Sequence, residues 1–188
     1  MSSPRIAPME PPFDDTTAAL LDKMNPPDAP TLLALFRVLA RHPKLVERMT
    51  GWGGFLLGRN ALLPLRDREV VIDRVCARCS AEYEWGVHVA AFARAAGFDH
   101  AQIAAIADAN ADLAPLTARD RLLVRLVDEL HETADLGDAS WEAAAAVWTQ
   151  PQLIELVLLA GWYRAISTLC NVARVPPEPW QARWNRSE

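Results

Sequence analysis

The chain has no excess of positive charge: its 188 residues carry a formal net charge of −5 at pH 7. Nucleic-acid binders usually present a basic face, so that class is not expected here. No apolar run reads as long enough to span a membrane. The N-terminus lacks the basic patch and apolar stretch of a secretory signal. Only three cysteines are present, an odd number that does not suggest a disulfide framework, and a reducing cytoplasm is the expected compartment. Neither a clear strand pattern nor an internal repeat is visible. What remains is ordinary for a soluble protein: 51% hydrophobic and 23% charged residues, in a chain long enough for one domain with a real core. The expected fold class is all-α, with no membrane or nucleic-acid partner.

Three regions are legible. Residues 1–30 form a Pro-rich arm, with Pro11-Pro12 and Pro26-Pro27 and one helical segment over Asp14–Met24. Such an arm either wanders or wraps over the surface or over a neighbouring subunit. Residues 31–178 read as a helical domain, and 179–188 as a tail with Trp180 and Trp184 as anchors. Within the domain, helices are expected over Thr31–Arg41 and Pro43–Met49, followed by a flexible Gly51-Trp52-Gly53-Gly54 connection and a buried group of Phe55, Leu56, Leu57, Leu62 and Leu63. Asp99 caps a helix to about Ala109, and Thr117 and Asp120 form a capping box for one to about His131. Gly137-Asp138 starts another, and Pro151 sits in the first turn of a last long helix reaching roughly Val172.

The unusual chemistry is concentrated in residues 67–97, which hold Glu69, Cys76, Cys79, Tyr83, Glu84, Trp85 and His88. The stretch reads as two helices with a short break. Asp67 can cap the first, and Val70, Val71, Val75 and Cys79 form its apolar stripe. Ser80 can cap the second, with Glu82 and Glu84 near its positive end, and Gly97 supplies a left-handed stop. In one continuous helix Glu69 and His88 would stand about 28 Å apart. A turn at Cys79–Ser80 folds the second helix back and brings them together.

Cys76-Ala-Arg-Cys79 has the spacing of a redox pair, and equally that of two small buried hydrophobes. Zinc would need two further ligands, and no second cysteine pair exists. Glu84 and His88, four residues apart, are neighbours on one helix face: an acid–base pair, or a surface pair worth a few tenths of a kcal/mol. Glu69 alone reads as a first-turn carboxylate, and Tyr83 and Trp85 as core or interface aromatics. Asp128, Glu129 and His131, near a helix end, read as solvated or structural.

The string Arg68-Glu69 followed by CSAEYEWGVH and AFARAAGF resembles the carboxymuconolactone decarboxylase family, which includes the AhpD-type alkylhydroperoxidases. The resemblance covers roughly residues 30–178. It implies an all-helical fold, assembly into homo-oligomers (dimers, trimers or hexamers) and sites near subunit contacts. In the peroxidase branch a Cys-x-x-Cys precedes the histidine by four positions. Anchored on His88, those cysteine positions fall on Ala81 and Glu84, and the family's glutamate falls on Glu69. Cys76 and Cys79 lie five residues too early.

The resemblance therefore implies the branch that needs no cysteine, cofactor or metal: a lyase acting on a small carboxylated lactone or oxo acid. His88 would be its proton donor, with Glu69 orienting it, Glu84 and Tyr83 in the pocket, and Trp85, Trp52 and Cys79 as pocket walls. The alternatives are a thiol peroxidase using Cys79 and Cys76, and a non-catalytic helical oligomer that binds a small molecule. A carboxylated substrate would want a cation, and Arg59, Arg66, Arg68, Arg74 and Arg78 are the nearby candidates.

Overall fold

A computed structural model describes residues 3–26 and 29–184. Among the described residues there are nine helices and no strand: α1 Asp15–Met24, α2 Ala34–Leu39, α3 Pro43–Leu57, α4 Leu65–Arg78, α5 Glu82–Phe92, α6 His100–Ala107, α7 Ala118–Thr133, α8 Asp138–Ala145 and α9 Gln150–Ala173. The all-α, single-domain expectation holds.

Helix α4 is the axis of the domain, and α5, α6, α7 and α9 all pack on it. Its sequence explains why. Val70, Val71, Ile72, Val75 and Cys76 spread around most of the helix, and each is at most 3% exposed. Burying one such aliphatic side chain is worth about 1.5–3 kcal/mol. The charged residues of α4 are therefore forced inside with it and need partners. Arg74, 2% exposed, donates from Nε and Nη2 to both oxygens of Asp128 at 2.7 and 2.6 Å, and from Nη1 to the Ile106 and Asp108 carbonyls. Asp67 accepts from Arg119 and from Trp148 Nε1. The expected capping role of Asp67 is not what is found: α4 starts two residues earlier behind Pro64, and the carboxylate is spent on α7 and Trp148.

Several local signals act as read: Asp99 caps α6, the Thr117–Asp120 capping box starts α7, and Pro151 lies in the first turn of α9. The structure adds Asp14 as the cap of α1 and Gln102 as the second half of a capping box with Asp99. Three readings change. The helix expected over Thr31–Arg41 is confined to Ala34–Leu39. The glycine-rich connection around Trp52 is helical, the continuation of α3, because Gly53 lies beneath the Trp162 ring: a Cβ there would come within 2.9 Å of it. Of the apolar group that follows, Leu56 and Leu63 are buried, but Phe55, Leu57 and Leu62 are exposed.

The arm wraps over its own domain. The Arg5 and Ile6 amides donate to the Ala173 carbonyl, the Met9 amide to that of Arg37, and Arg41 Nε to that of Ala7. Pro27 of the Pro26-Pro27 pair lies outside the described residues. The tail is also docked. Glu178, 4% exposed, accepts from the Ala34 amide at 2.6 Å and from the Tyr83 hydroxyl at 2.8 Å. Trp180 Nε1 donates to Thr31, and Trp184 packs on Trp85.

Helix α9 is long and apolar enough to cross a membrane by length and composition, so the expectation that no such run exists is corrected. Half of that window is buried inside the fold, as in a core helix.

Candidate active site

The site is assembled by the break between α4 and α5. The chain leaves α4 at Cys79, and Ser80 takes a left-handed φ of 53°. Ser80 and Ala81 amides return to the Ala77 and Cys76 carbonyls, which satisfies the free carbonyl end of α4. Ser80 is thus the turning residue rather than the cap, and α5 starts behind Ala81 with Glu82 and Glu84 in its first turn. Gly97 has the left-handed φ expected, +74°, but in the turns after α5 rather than at its end.

The fold-back brings His88 to Glu69. His88 Nδ1 lies 2.8 Å from Glu69 Oε2, and His88 Nε2 lies 2.9 Å from the hydroxyl of Tyr163 on α9. The Tyr163 ring meets the imidazole edge-on at 5.0 Å. Glu84 Oε1 approaches Nε2 to 3.7 Å, and Glu84 Oε2 faces the Cys170 thiol. Asp73, one turn along α4 from Glu69, is 2% exposed with Oδ1 lacking a hydrogen-bond partner.

All these groups are buried, and their acidities follow from that. Burial alone would push His88 down. The charge and hydrogen bond of Glu69, helped by Glu84, more than offset it and push His88 up to about 9. At neutral pH the ring is therefore an imidazolium. Its Nδ1–H donates to Glu69 and its Nε2–H to the Tyr163 oxygen, leaving the Tyr163 proton free to be donated. Burial raises Glu84, with His88 and the Cys170 thiol opposing. Burial, reinforced by Glu69, holds Asp73 well above the usual carboxylate range. Burial and the Glu84 and Glu69 charges push the Tyr163 phenol up, so it stays protonated and remains a donor.

His88, Tyr163 and Glu84 open on a cavity of about 240 Å³ between α5 and α9 on one side and α1, α2 and α3 on the other. Its wall is mostly apolar, including Leu35, Leu39, Met49, Phe92 and Trp162. Tyr83 lines it, but its hydroxyl is committed to Glu178 and to the Leu35 amide. Three expected wall residues stand elsewhere. Trp52 is 48% exposed and backs the cavity only through Trp162, whose ring centroid is 5.1 Å away. Trp85 belongs to the main core, against Trp184. Cys79 ends α4, with its carbonyl taken by Asn171.

None of the five candidate arginines lines the cavity. Arg66, Arg74 and Arg78 are paired with carboxylates, Arg68 with carbonyls, and Arg59 is exposed. None of the three thiols is shifted towards the thiolate. Cys76 and Cys170 are buried, Cys79 is half-buried, and burial pushes the pKa of each above that of a free thiol. Among the described residues no group of His, Cys, Asp or Glu is arranged to hold a metal ion.

Sequence reasoning missed Tyr163, 75 positions from its partner His88. Asp73 could have been found, since it lies one turn from Glu69 on the same helix.

An all-helical domain built around a buried, carboxylate-clamped histidine is the class of protein defined here. Residues 43–127 match the model of the carboxymuconolactone decarboxylase family. The matched segment contains Glu69, Asp73, Glu84 and His88, whereas Lys23 and Tyr163 lie outside it. An uncharacterized peroxidase-related protein from Silicibacter sp. TM1040 has the same fold, with a TM-score of 0.80 over 95% of this chain and 96% of that one, at 16% sequence identity. A search of curated proteins gives no match.

Proposed function

We propose that the chain is a cofactor-independent lyase that decarboxylates a small carboxylated lactone or oxo acid, with His88 as proton donor. The observation that carries this reading is the hydrogen-bonded series Glu69–His88–Tyr163 opening on an apolar cavity. A substrate carboxylate beside Glu84 in that cavity is less well solvated than in water. Breaking its carbon–carbon bond releases CO2 and leaves the electron pair on carbon, delocalised onto an adjacent carbonyl oxygen. The Tyr163 hydroxyl is placed to donate to that oxygen, and its own oxygen is held by the imidazolium. The imidazolium then supplies the proton that completes the product, and Glu69 keeps the ring oriented for reprotonation by solvent.

A thiol peroxidase finds less support, since neither Cys76 nor Cys79 lines the cavity and neither thiol is activated. Assembly into a homo-oligomer is supported by exposed apolar residues: Ile154 and Leu158, one turn apart on α9, and Phe55 and Leu62.

The test is CO2 release from a panel of carboxylated lactones and 3-oxo acids, wild type beside His88→Gln. A fall of roughly 10²–10⁴-fold in turnover, with unchanged helical content, is expected from loss of a general acid. Turnover retained in the variant removes His88 from the mechanism.

A further inference from the structure

The polar groups of the cavity are unevenly placed. Its buried end carries His88, Tyr163 and Glu84, with Glu69 and Asp73 behind them. Its exposed side carries Lys23, the sole Lys or Arg among the described lining residues. Lys23 is exposed and forms no ion pair with any described residue, so its ammonium is open to a ligand at the cavity mouth. Nor is it carried on a loose segment. Helix α1 is capped by Asp14 and anchored by Leu20 and Leu21, which are 8% and 1% exposed.

Resting on the reading of this cavity as the substrate site, we propose that its ligand is an amphiphilic anion: an apolar body fills the cavity and an anionic head group stays at Lys23. Two features set this orientation. At the buried end an anionic group meets Glu84, with Glu69 and Asp73 behind it, which favours loss of the carboxylate that reacts there and disfavours a head group that is kept. An apolar body turned outward would leave the Leu35, Leu39, Met49 and Trp162 wall without a partner. Lys23 is thus a specificity-determining residue delivered by the N-terminal arm. The head group it receives is distinct from the carboxylate lost at the buried end.

Calorimetric titration of the full chain with octanoate, octanamide and butyrate tests this without requiring turnover. Octanoate should bind about three- to fivefold more tightly than octanamide, the advantage of a partly exposed ion pair. Lys23→Met should abolish that difference while leaving octanamide affinity unchanged. Butyrate should bind at least about tenfold more weakly than octanoate, because four methylenes lose their apolar wall. Equal binding of octanoate and octanamide, a preference that survives Lys23→Met, or butyrate binding as tightly as octanoate would each overturn the proposal. So would no binding at all. Because the readout is binding, failure here is separate from failure of the His88 experiment, which reads turnover alone.

Discussion

Replacing Glu69 by Gln removes one negative charge from a buried site while keeping an oxygen near His88 Nδ1. The ordinary imidazole value is 6.5, and the Glu69 and Glu84 carboxylates bring His88 to about 9. That difference corresponds to ~3 kcal/mol in favour of the charged ring. Burial pulls the other way while Glu84 still raises it, so without Glu69 the ring should titrate clearly below its wild-type value. NMR titration of the His88 ring carbons in wild type and Glu69→Gln reads this directly. The sign carries over to stability. A group whose folded value lies above its unfolded one stabilises fully below the unfolded value and loses that contribution as pH rises through the folded one. Unfolding free energy should therefore fall between about pH 6.5 and pH 9 in wild type, and the fall should flatten in Glu69→Gln. Glu84 and Asp73, both raised, act in the same direction but from a lower pH. Wild-type His88 titrating near 6.5, or not moving in the variant, would refute the electrostatic account of the site.

Tyr163→Phe should retain the fold, lose about 1–3 kcal/mol for the unpaired imidazole nitrogen, and lower turnover more than it weakens substrate binding, as measured by denaturant titration and steady-state kinetics. With a thiol-specific reagent, the native protein should label slowly at Cys79 alone, and Cys76 and Cys170 should react only on unfolding. Fast labelling of all three in the native state would contradict their burial. Arg74→Met should cost about 1–3 kcal/mol, because it leaves two carbonyls without their donor and Asp128 with only the longer contact to Arg78, and thermal unfolding would show it. Ile154→Glu with Leu158→Glu should shift sedimentation towards the monomer if the exposed α9 face joins copies of the chain.

The parts legible in the sequence are those governed by neighbours along it. The capping box at Thr117, the cap at Asp99 and the break that returns His88 to Glu69 are set by residues within one or two turns. Asp67 shows where that logic fails. Its position suits a helix cap, yet burial of α4 makes a guanidinium and an indole better partners. Trp52 and its glycines read as a loop because the ring that covers Gly53 lies more than 100 positions away on α9. Tyr163 escaped for the same reason: only packing of α9 on α4 and α5 makes it a neighbour of His88.

The cavity joins two halves that the chain encodes separately. Its reactive groups come from α4, α5 and α9, while much of its wall comes from α1, α2 and α3. Cavity-lining side chains of those three helices, Gly53 beneath Trp162 excepted, can therefore vary without touching the histidine or its clamp. A library confined to Lys23, Leu35, Leu39, Met49 and Leu57 would retune which molecules enter while preserving the proton-transfer apparatus, so reactivity and selectivity can be adjusted independently in one small domain.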